Sequence, residues 1–434
     1  MKMIKLLIAA DDLTGALDTG VRFAGRGIKT LVTTDADIDI NGIDDHTEVL
    51  VVDTETRHLS ADEAYKIVYA LIEKAVSSGI GNIYKKTDSV MRGNIGSELL
   101  AVLNGAASGA ASDKLMLVPA FPDNDRTTSE GVQYVSGVPL AQSHFACDPF
   151  DPVTVSYIPD MIGKYTEHTD IRTVIVKQGE KPDFDAHRGI FIFDAETNED
   201  MVNIGDMLNR AGQLGLTAGC AGFAGVLSDV LNFTRHKQEL PAFGENTLIV
   251  SGSVNKMSIE QIDHLKENGC KGVSLTPEQK QDGDFCNSTG CDGLVRTIQL
   301  TLAKSAFAYI EVIKSESNII EADRSLVAEK IGQIVKRVQG DFPIGNLIVI
   351  GGDTLLGIMR QLDVKKIIPA FELSPGIACS KIESGKYSFN LITKSGGFGQ
   401  KETLMNVLSW ISTKSDCVPP HGSGVDDLVV PRLH

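Results

Sequence analysis

The chain has 434 residues, and 41 Lys and Arg against 57 Asp and Glu give it a formal net charge of −16. A surface this acidic repels phosphate backbones and anionic lipid headgroups, so the charge disfavours a nucleic-acid-binding or membrane-surface protein. Hydrophobic residues at 42% and charged residues at 23% are typical of a globular protein and not of a disordered one. The length is sufficient for two or three domains.

The cysteines and the apolar segments point to a cytoplasmic protein. The seven cysteines are an odd number without a disulfide framework, and Cys286 and Cys291 lack the spacing of a zinc knuckle. No histidine pair has metal-ligand spacing either, so the sequence predicts no particular metal ligands. The N-terminal apolar run ends at Asp11, too short for a signal peptide. No stretch approaches the ~18 apolar residues of a membrane span.

In the first half of the chain, short apolar runs alternate with helical patterns, which is typical of parallel α/β proteins. A helix is predicted at 60–79, where Ser60 and Glu63 form a capping-box pattern before apolar residues at helical spacing. A small hairpin is predicted at 131–138. The predicted strands are 4–10, 29–33, 48–53, 82–86, 114–119, 173–176 and 189–194.

A polar segment at 235–246, which holds a Pro and a Gly, is the predicted interdomain linker. It separates a domain at 1–235 from a domain at 246–412, and an irregular tail is predicted at 413–434. The second domain repeats the alternation of strands and helices. Its predicted strands are 247–251, 306–312, 346–351, 377–382 and 387–393, and its predicted helices are 258–268 and 321–338. The sequence therefore predicts an α/β fold of two domains, each with a mainly parallel sheet flanked by helices.

The first candidate site is the sequence ADDLTGA at 10–16, where the first strand ends and a helix begins. Ligands bind at such strand ends in open α/β sheets. Asp11 and Asp12 are suited to accept hydrogen bonds from substrate hydroxyls, and one of them to act as a general base. The alternative is that one acid is an N-cap. A cap needs only one acid, so the pair favours a functional site.

The second candidate site, KKTDSVMRGNIG at 85–96, also follows a strand and opens a helix. Basic residues, hydroxyls and helix N–H groups converge here in an otherwise acidic chain, as in carboxylate or phosphate sites. The alternative is a solvated basic turn, but Lys86 at the end of a buried strand would be costly without an anionic partner. Arg57 follows a third strand. Asp12, Arg57 and Lys86 thus predict a pocket for a small hydroxylated acid.

Three glycine-containing loops in the second domain predict a nucleotide site. Paired glycines let backbone N–H groups approach a phosphate, and helix N-termini favour its charge. Each loop alone is more often a tight turn, but three in one domain favour a site. None has P-loop or GxGxxG spacing, which disfavours a dinucleotide-binding protein. The loops are IGGDT at 350–354, KSGGFG at 394–399 and SGSVN at 251–255.

Taken in order, these motifs resemble those of the four-carbon acid sugar kinases over nearly the whole chain. The resemblance is closest to the D-threonate and D-erythronate kinase branch. It implies an N-terminal domain for the acid sugar, a C-terminal domain for ATP, a cleft between them and phosphorylation of the 4-hydroxyl. The motifs are ADDLTGA at 10–16, KKTDS at 85–89, PAFP at 119–122 with RTT at 126–128, GGDT at 351–354 and KSGGFG at 394–399.

The resemblance also implies roles for individual residues. Substrate contacts are expected from Asp12, Arg57, Lys86, Thr87, Asp88 and Ser89, to which the strand-end argument adds Asp11 and Arg92. Nucleotide contacts are expected from Ser253, Gly351, Gly352, Asp353, Thr354, Gly396, Gly397, Phe398 and Gly399. Asp125 stands where the family pattern usually has a glycine, so the local turn and the role of Arg126 are left open.

Phosphoryl transfer depends mostly on positioning and on neutralising the transferred group, usually with Mg²⁺. We expect Arg57 and Lys86 to bind the substrate carboxylate and Asp12 to orient or deprotonate the hydroxyl. Asp353 is the rival base, or a residue that orders Mg²⁺. A 3-oxo-tetronate 4-kinase, a sugar-acid oxidoreductase and a non-catalytic sugar-acid sensor are the alternatives. Base rates alone favour a homodimer.

Overall fold

The computed structural model describes residues 4–107, 112–148, 151–167, 169–238, 240–312 and 324–415. The chain divides into two compact units, Met1–Gln238 and Glu239–His434. The boundary between them falls inside the segment 235–246 that the sequence marks as a linker.

The first unit alternates strands and helices along most of its length. Its strands are β1 (Leu6–Ala10), β2 (Thr30–Thr33), β3 (Val49–Asp53), β4 (Asn82–Lys86), β5 (Lys114–Val118), β6 (Arg126–Ser129), β7 (Val132–Val135), β8 (Val138–Pro139), β9 (Arg172–Val176), β10 (Gly189–Phe193) and β11 (Leu216–Gly219). Its helices are α1 (Leu13–Ala24), α2 (Ala61–Ser77), α3 (Ile95–Ala107), α4 (Ile158–Thr166), α5 (Asn198–Arg210) and α6 (Ala221–Val230). The predicted capping box of α2 is confirmed, with Ser60 and Glu63 bonded to each other's backbone.

The main sheet of the first unit is parallel and runs in the order β2-β3-β1-β4-β11-β5-β10-β9. Its central strands β1 and β3 are fully buried, as expected when helices cover both faces of a sheet. Strand β11 was not predicted, although it lies between β4 and β5. Its sequence, LTAG, is only four residues long and rich in small side chains, so it gives no strand pattern.

The predicted hairpin at 131–138 is larger in the structure. Strands β6, β7 and β8 form an antiparallel three-stranded sheet that begins at Arg126. The added strand has the sequence RTTS, whose polar residues do not show the alternation that marks a half-buried strand.

The second unit is also built on a mainly parallel sheet. Its strands are β12 (Thr247–Ser251), β13 (Gly272–Leu275), β14 (Phe307–Val312), β15 (Asn346–Ile350), β16 (Lys366–Ser374), β17 (Ile377–Ser384) and β18 (Tyr387–Lys394). Its helices are α7 (Lys256–Glu267), α8 (Pro277–Gln281), α9 (Thr289–Ser305), α10 (Arg324–Asp341), α11 (Gly352–Gln361) and α12 (Thr403–Ser415). Strands β13, β14, β12, β15 and β18 are parallel neighbours, and β17 and β16 continue antiparallel.

The predicted α/β class, with mainly parallel sheets flanked by helices, is confirmed in both units. The predicted tail at 413–434 begins too early, because α12 extends to Ser415; the rest of the tail lies outside the described residues. The first residues of the helix predicted at 321–338 also lie outside them. Within the described ranges, no helix is both long and apolar enough to cross a membrane.

Candidate functional site

The carboxyl ends of β1, β3 and β4 form one edge of the first sheet, and the predicted substrate residues collect there. Ala10, the last residue of β1, pairs with Lys86, the last residue of β4. Asp11 and Asp12 follow β1 directly, and a short turn after β3 brings in Arg57. The backbone N–H of Arg57 donates to the carbonyl oxygen of Asp11 at 3.2 Å, which fixes the turn against β1. The strand-end argument thus identified residues that are neighbours in space.

Arg57 is held by carboxylates. Its Nε donates to Asp11 Oδ2 at 2.7 Å and its Nη2 donates to Asp12 Oδ1 at 2.7 Å. Burial raises the pKa of Asp11, but the charges of Arg57 and the two neighbouring lysines outweigh it and hold that pKa below its ordinary value. Asp11 therefore remains ionised at neutral pH. The Nε and Nη2 donors of Arg57 thus orient Asp11 and Asp12.

Asp12 is the more accessible of the two acids. Its side chain is 20% exposed, whereas that of Asp11 is 1% exposed. Asp12 Oδ1 accepts from the backbone N–H of Gly15 at 3.0 Å, so the N-cap interpretation holds for Asp12. Capping and the Arg57 contact together fix the carboxylate in one orientation at the open strand edge. A positioned carboxylate of this kind is suited to orient or deprotonate a hydroxyl.

Gly15 belongs to the same arrangement, although the sequence did not single it out. A Cβ atom at Gly15 would lie 2.6 Å from Asp12 Oδ1 and 2.8 Å from Lys86 Nζ. Only glycine lets these two groups approach α1 so closely. Its place in the ADDLTGA motif was the available signal.

Lys86 is a buried cation close to the carboxylates of Asp11 and Asp88, whose pKa values its charge helps to lower. The residue is 5% exposed, and its Nζ donates to the carbonyl oxygen of Thr87 at 2.8 Å. Among the described residues it forms no ion pair, and the Thr87 hydroxyl is buried without a hydrogen-bond partner. A desolvated ammonium group of this kind is stabilised by an anionic ligand.

Asp88 and Arg92 bind each other across one turn. Arg92 Nε donates to Asp88 Oδ1 at 3.0 Å and Arg92 Nη2 donates to Oδ2 at 2.7 Å. Burial raises the pKa of Asp88, but the charges of Arg92 and Arg57 outweigh it and lower that pKa strongly. This pair shapes the loop after β4. Ser89 lies in the same loop, and its carbonyl oxygen accepts from Gln133 Nε2 at 3.3 Å.

A buried network of polar side chains, formed by Lys85, Glu98 and Thr56, supports this edge from the other face of the sheet. Lys85 is fully buried, and its Nζ lies 3.0 Å from Glu98 Oε2. The Thr56 hydroxyl donates to the other oxygen of Glu98, which ties α3 to the turn that carries Arg57. The sequence analysis missed Lys85 and Glu98. The adjacent lysines at the end of a buried strand were the available signal, because alternate residues of a strand point to opposite faces.

The backbone conformation of Asp125 shows that the local turn is formed without the glycine of the family pattern. Asp125 has φ +56° and ψ +33°, the left-handed conformation that glycine adopts most easily. Asp is among the residues that also tolerate this conformation. The turn before Arg126 is therefore kept without the glycine.

The second unit brings the three predicted glycine loops together at the carboxyl ends of neighbouring strands. Ser251 pairs with Ile350, and Ile350 pairs with Lys394. The loops that follow β12, β15 and β18 therefore start side by side. The backbone N–H of Gly252 donates to the Ile350 carbonyl at 3.2 Å, and that of Gly351 donates to the Lys394 carbonyl at 3.4 Å.

Side chains of these loops pack directly on the glycines. A Cβ atom at Gly252 would collide with the Thr354 hydroxyl, and one at Gly396 would lie 2.6 Å from Ser253 Oγ. The Ser258 hydroxyl donates to the Gly396 carbonyl at 2.6 Å. The loops thus form one continuous surface of backbone and small side chains.

Helix α11 begins at this surface. Its N-cap, Gly351, has φ +111° and makes no side-chain capping hydrogen bond, and Gly352, Asp353 and Thr354 form its first turn. The N-terminus of a helix in a glycine-rich loop is suited to bind phosphate. The remaining predicted residues lie in the loop after β18: Gly397 beside Asn255, Phe398 against Gly376, and Gly399 at φ +82° against Thr403.

Lys394 is a functional candidate that the sequence analysis did not single out, although it opens the KSGGFG motif. It is 2% exposed, and its Nζ donates to the carbonyl oxygens of Ser395 at 2.9 Å and Gly396 at 3.2 Å. Burial lowers the pKa of Lys394 to about 8. A nearby phosphate would stabilise the charged form.

The comparisons with known families find a different domain family in each half of the chain. Residues 6–227 match the family described as a sugar-binding N-terminal domain, and residues 248–404 match the family described as a nucleotide-binding C-terminal domain. The chain belongs to the family defined by these two domains. Its relatives place it among the four-carbon acid sugar kinases, as the sequence motifs predicted.

The curated relatives match over almost their whole length. D-threonate kinase of Salmonella typhimurium is 28% identical, covering 94% of this chain and 98% of that protein. D-erythronate kinase of Heliobacterium modesticaldum is 26% identical, covering 95% and 98%. 3-Oxo-tetronate kinase of Pseudomonas fluorescens is 25% identical, covering 93% and 96%.

Two solved structures share the fold. A crystal structure from Salmonella typhimurium LT2 superposes with a TM-score of 0.75 at 20% identity and covers 93% of this chain and 99% of its own. That of Haemophilus influenzae protein HI1011 superposes with a TM-score of 0.69 at 18% identity and covers 93% and 100%. At these identities the likeness concerns the fold alone.

Proposed function

We propose that this protein is an ATP-dependent kinase that phosphorylates the 4-hydroxyl of a four-carbon acid sugar, D-threonate or D-erythronate. The observation that carries the proposal is the strand edge of the first unit. There Asp12, fixed by Arg57 and the α1 N-terminus, lies beside the buried ammonium of Lys86, which forms no ion pair among the described residues. An oriented carboxylate and a buried cation are the groups that a hydroxylated acid requires.

In this function Asp12 orients and deprotonates the acceptor hydroxyl. Arg57 keeps the carboxylate in place, and Asp11, buried behind it, balances the Arg57 charge. Lys86 attracts the negative charge of the acid sugar. The loop from Thr87 to Arg92 borders the bound substrate, and the internal Asp88–Arg92 pair keeps its shape.

The second unit binds ATP in this function. The N-terminus of α11 and the glycine loops that contain Ser253 and Gly396 bind the phosphates, and Lys394 supplies a positive charge below them. Such charges matter because phosphoryl transfer depends on stabilising the transferred group.

Mg²⁺ fits this nucleotide surface as a partner of ATP. In the described part of the chain, no group of three or more His, Cys, Asp or Glu side chains is arranged to hold a metal. Mg²⁺ in kinases is usually held by substrate phosphates with one or two carboxylates, which needs no such group. Asp353, exposed in the first turn of α11, is the carboxylate that would hold it. When bound, the ion would neutralise charge on the phosphates.

A 3-oxo-tetronate substrate is the second candidate, because one relative of similar identity carries that activity in its name. Location in the cytoplasm and assembly as a homodimer remain predictions. Size-exclusion chromatography with light scattering would measure the assembly.

The decisive experiment is a panel of four-carbon acids, including D-threonate, D-erythronate and their 2- and 3-oxo forms, assayed for ADP release with Mg²⁺-ATP. We expect turnover with one acid and 4-phosphorylation of the product, located by phosphorus NMR. Reduction of NAD or NADP by a sugar acid would favour the oxidoreductase. Thermal stabilisation by acids, with neither turnover nor stabilisation by ATP analogues, would favour the sensor.

A further inference from the structure

Arg126 is a cation beside the candidate substrate site that no step above uses. Its backbone is fixed by two hydrogen bonds with Phe121, since Phe121 N–H donates to the Arg126 carbonyl at 2.8 Å and Arg126 N–H donates to the Phe121 carbonyl at 3.1 Å. This bridge ties the first residue of β6 to the loop that follows β5. Asp125, the residue before Arg126, has a left-handed conformation that turns the backbone back towards Phe121.

The guanidinium of Arg126 lies near Asp88 and Asp125, whose charges favour its protonated form, but no hydrogen bond joins it to either carboxylate. Its Nη1 donates to the carbonyl oxygen of Asn124, and its Nε is buried without a hydrogen-bond partner. Within the described ranges, it makes no ion pair. Burial lowers the pKa of Arg126 even though the charge of Asp88 opposes this shift. A partly desolvated guanidinium without a hydrogen-bonded carboxylate is costly unless a ligand supplies the negative charge.

An aromatic ring fixes the direction of this side chain. The guanidinium carbon of Arg126 lies 5.7 Å from the centroid of the Phe145 ring, and that of Arg92 lies 6.0 Å from the same centroid. The ring therefore holds two arginines next to each other. Arg92 is neutralised by Asp88, whereas Arg126 keeps its Nε and Nη2 donors.

We propose that Arg126 binds the carboxylate of the acid sugar and so determines that the protein accepts an acid rather than a neutral polyol. The proposal rests on the proposed function. Arg57 has two donors committed to Asp11 and Asp12, and Lys86 provides only a point charge. The planar Nε–Nη2 edge of Arg126 matches the two oxygens of a carboxylate.

The test compares D-threonate with D-threonamide, which keeps the hydroxyls and lacks the charge. In Arg126→Gln we expect the KM for D-threonate to rise by roughly 10- to 150-fold, as for the loss of hydrogen bonds to a charged group. The inhibition constant of D-threonamide and the KM for ATP change less than about threefold, because hydrogen bonds to neutral groups contribute less. Arg126→Lys keeps the charge and gives an intermediate value.

Arg210→Gln is the matched control, because Arg210 is 82% exposed and contacts Asp206 on its own helix. Equal weakening of acid and amide, an unchanged KM for the acid, or a rise confined to the KM for ATP would each overturn the assignment. Thermal stabilisation by D-threonate without ATP gives a readout that does not need turnover, and it should be lost in Arg126→Gln. If the wild type phosphorylates no four-carbon acid, the proposed function fails while this binding test still judges Arg126.

Discussion

Replacing Gly15 by Ala should lower activity while leaving the fold intact. The added Cβ would lie 2.6 Å from Asp12 Oδ1 and 2.8 Å from Lys86 Nζ, several tenths of an ångström closer than ordinary contacts. Both groups must move, and a misplacement approaching 1 Å costs about 100-fold in rate. We therefore expect kcat/KM for the acid sugar to fall by roughly 10- to 100-fold.

The stability of the same variant should change little, because two effects oppose each other. Ala is favoured over Gly inside a helix by about 1 kcal/mol, which offsets part of the cost of the contacts. Gly225→Ala in α6 is the matched control, since a Cβ at Gly225 meets nothing within 4 Å. ADP release under steady-state conditions and a thermal melt would be measured for both variants. A Gly15→Ala enzyme with kcat/KM within twofold of the wild type would refute the reasoning.

Three further variants test the remaining roles. Asp12→Asn should lower kcat by about 10²- to 10⁴-fold as the loss of a general base does, and near-full turnover with unchanged substrate affinity would reject that role. Asp353→Asn should raise the Mg²⁺ concentration needed for half-maximal rate while leaving the binding of D-threonate without ATP unchanged; loss of turnover with an unchanged Mg²⁺ requirement would instead make Asp353 the base. Burial lowers the pKa of Lys394 from 10.5 to about 8. Between these two pH values the unfolded chain binds more protons than the folded chain. The free energy of unfolding should therefore rise with pH in that window, by up to about 3 kcal/mol. Lys394→Met should not show this rise in urea titrations at pH 7.5 and 10, and equal pH profiles for the two proteins would contradict the assignment.

The positions of the candidate site could be predicted wherever the topology fixed them. Asp12 and Arg57 follow parallel strands and Lys86 ends one, and parallel strands in register must present their carboxyl ends at the same edge. The glycine loops after β12, β15 and β18 obey the same rule. Their clustering needs no knowledge of side-chain geometry.

The partners of these residues could not be predicted in the same way. Substrate binding by Arg57 stays a prediction, and the hydrogen bonds from its Nε and Nη2 to Asp11 and Asp12 are seen only in the folded turn. Gly15 was missed because the sequence does not report how closely Lys86 approaches α1. Differences of a few tenths of an ångström decide which groups are hydrogen-bonded to each other. The residue types alone do not determine these distances.

Strand β11 comes after β5 and β10 in the chain but lies between β4 and β5 in the sheet. This position affects the order in which the protein folds during synthesis. Lys86 pairs with Gly219, and the N–H of Thr87 donates to the Gly219 carbonyl at 2.8 Å, so the loop after β4 is completed by a strand that begins at Leu216. Strand β5 ends at Val118, and a ribosome adding about 5–20 residues per second needs about 5–20 s to reach β11 from there. During that interval β4 and β5 have unpaired edges in the middle of the nascent sheet, where other chains could pair with them. Chaperone protection of the growing chain should therefore matter most between the synthesis of β5 and that of β11.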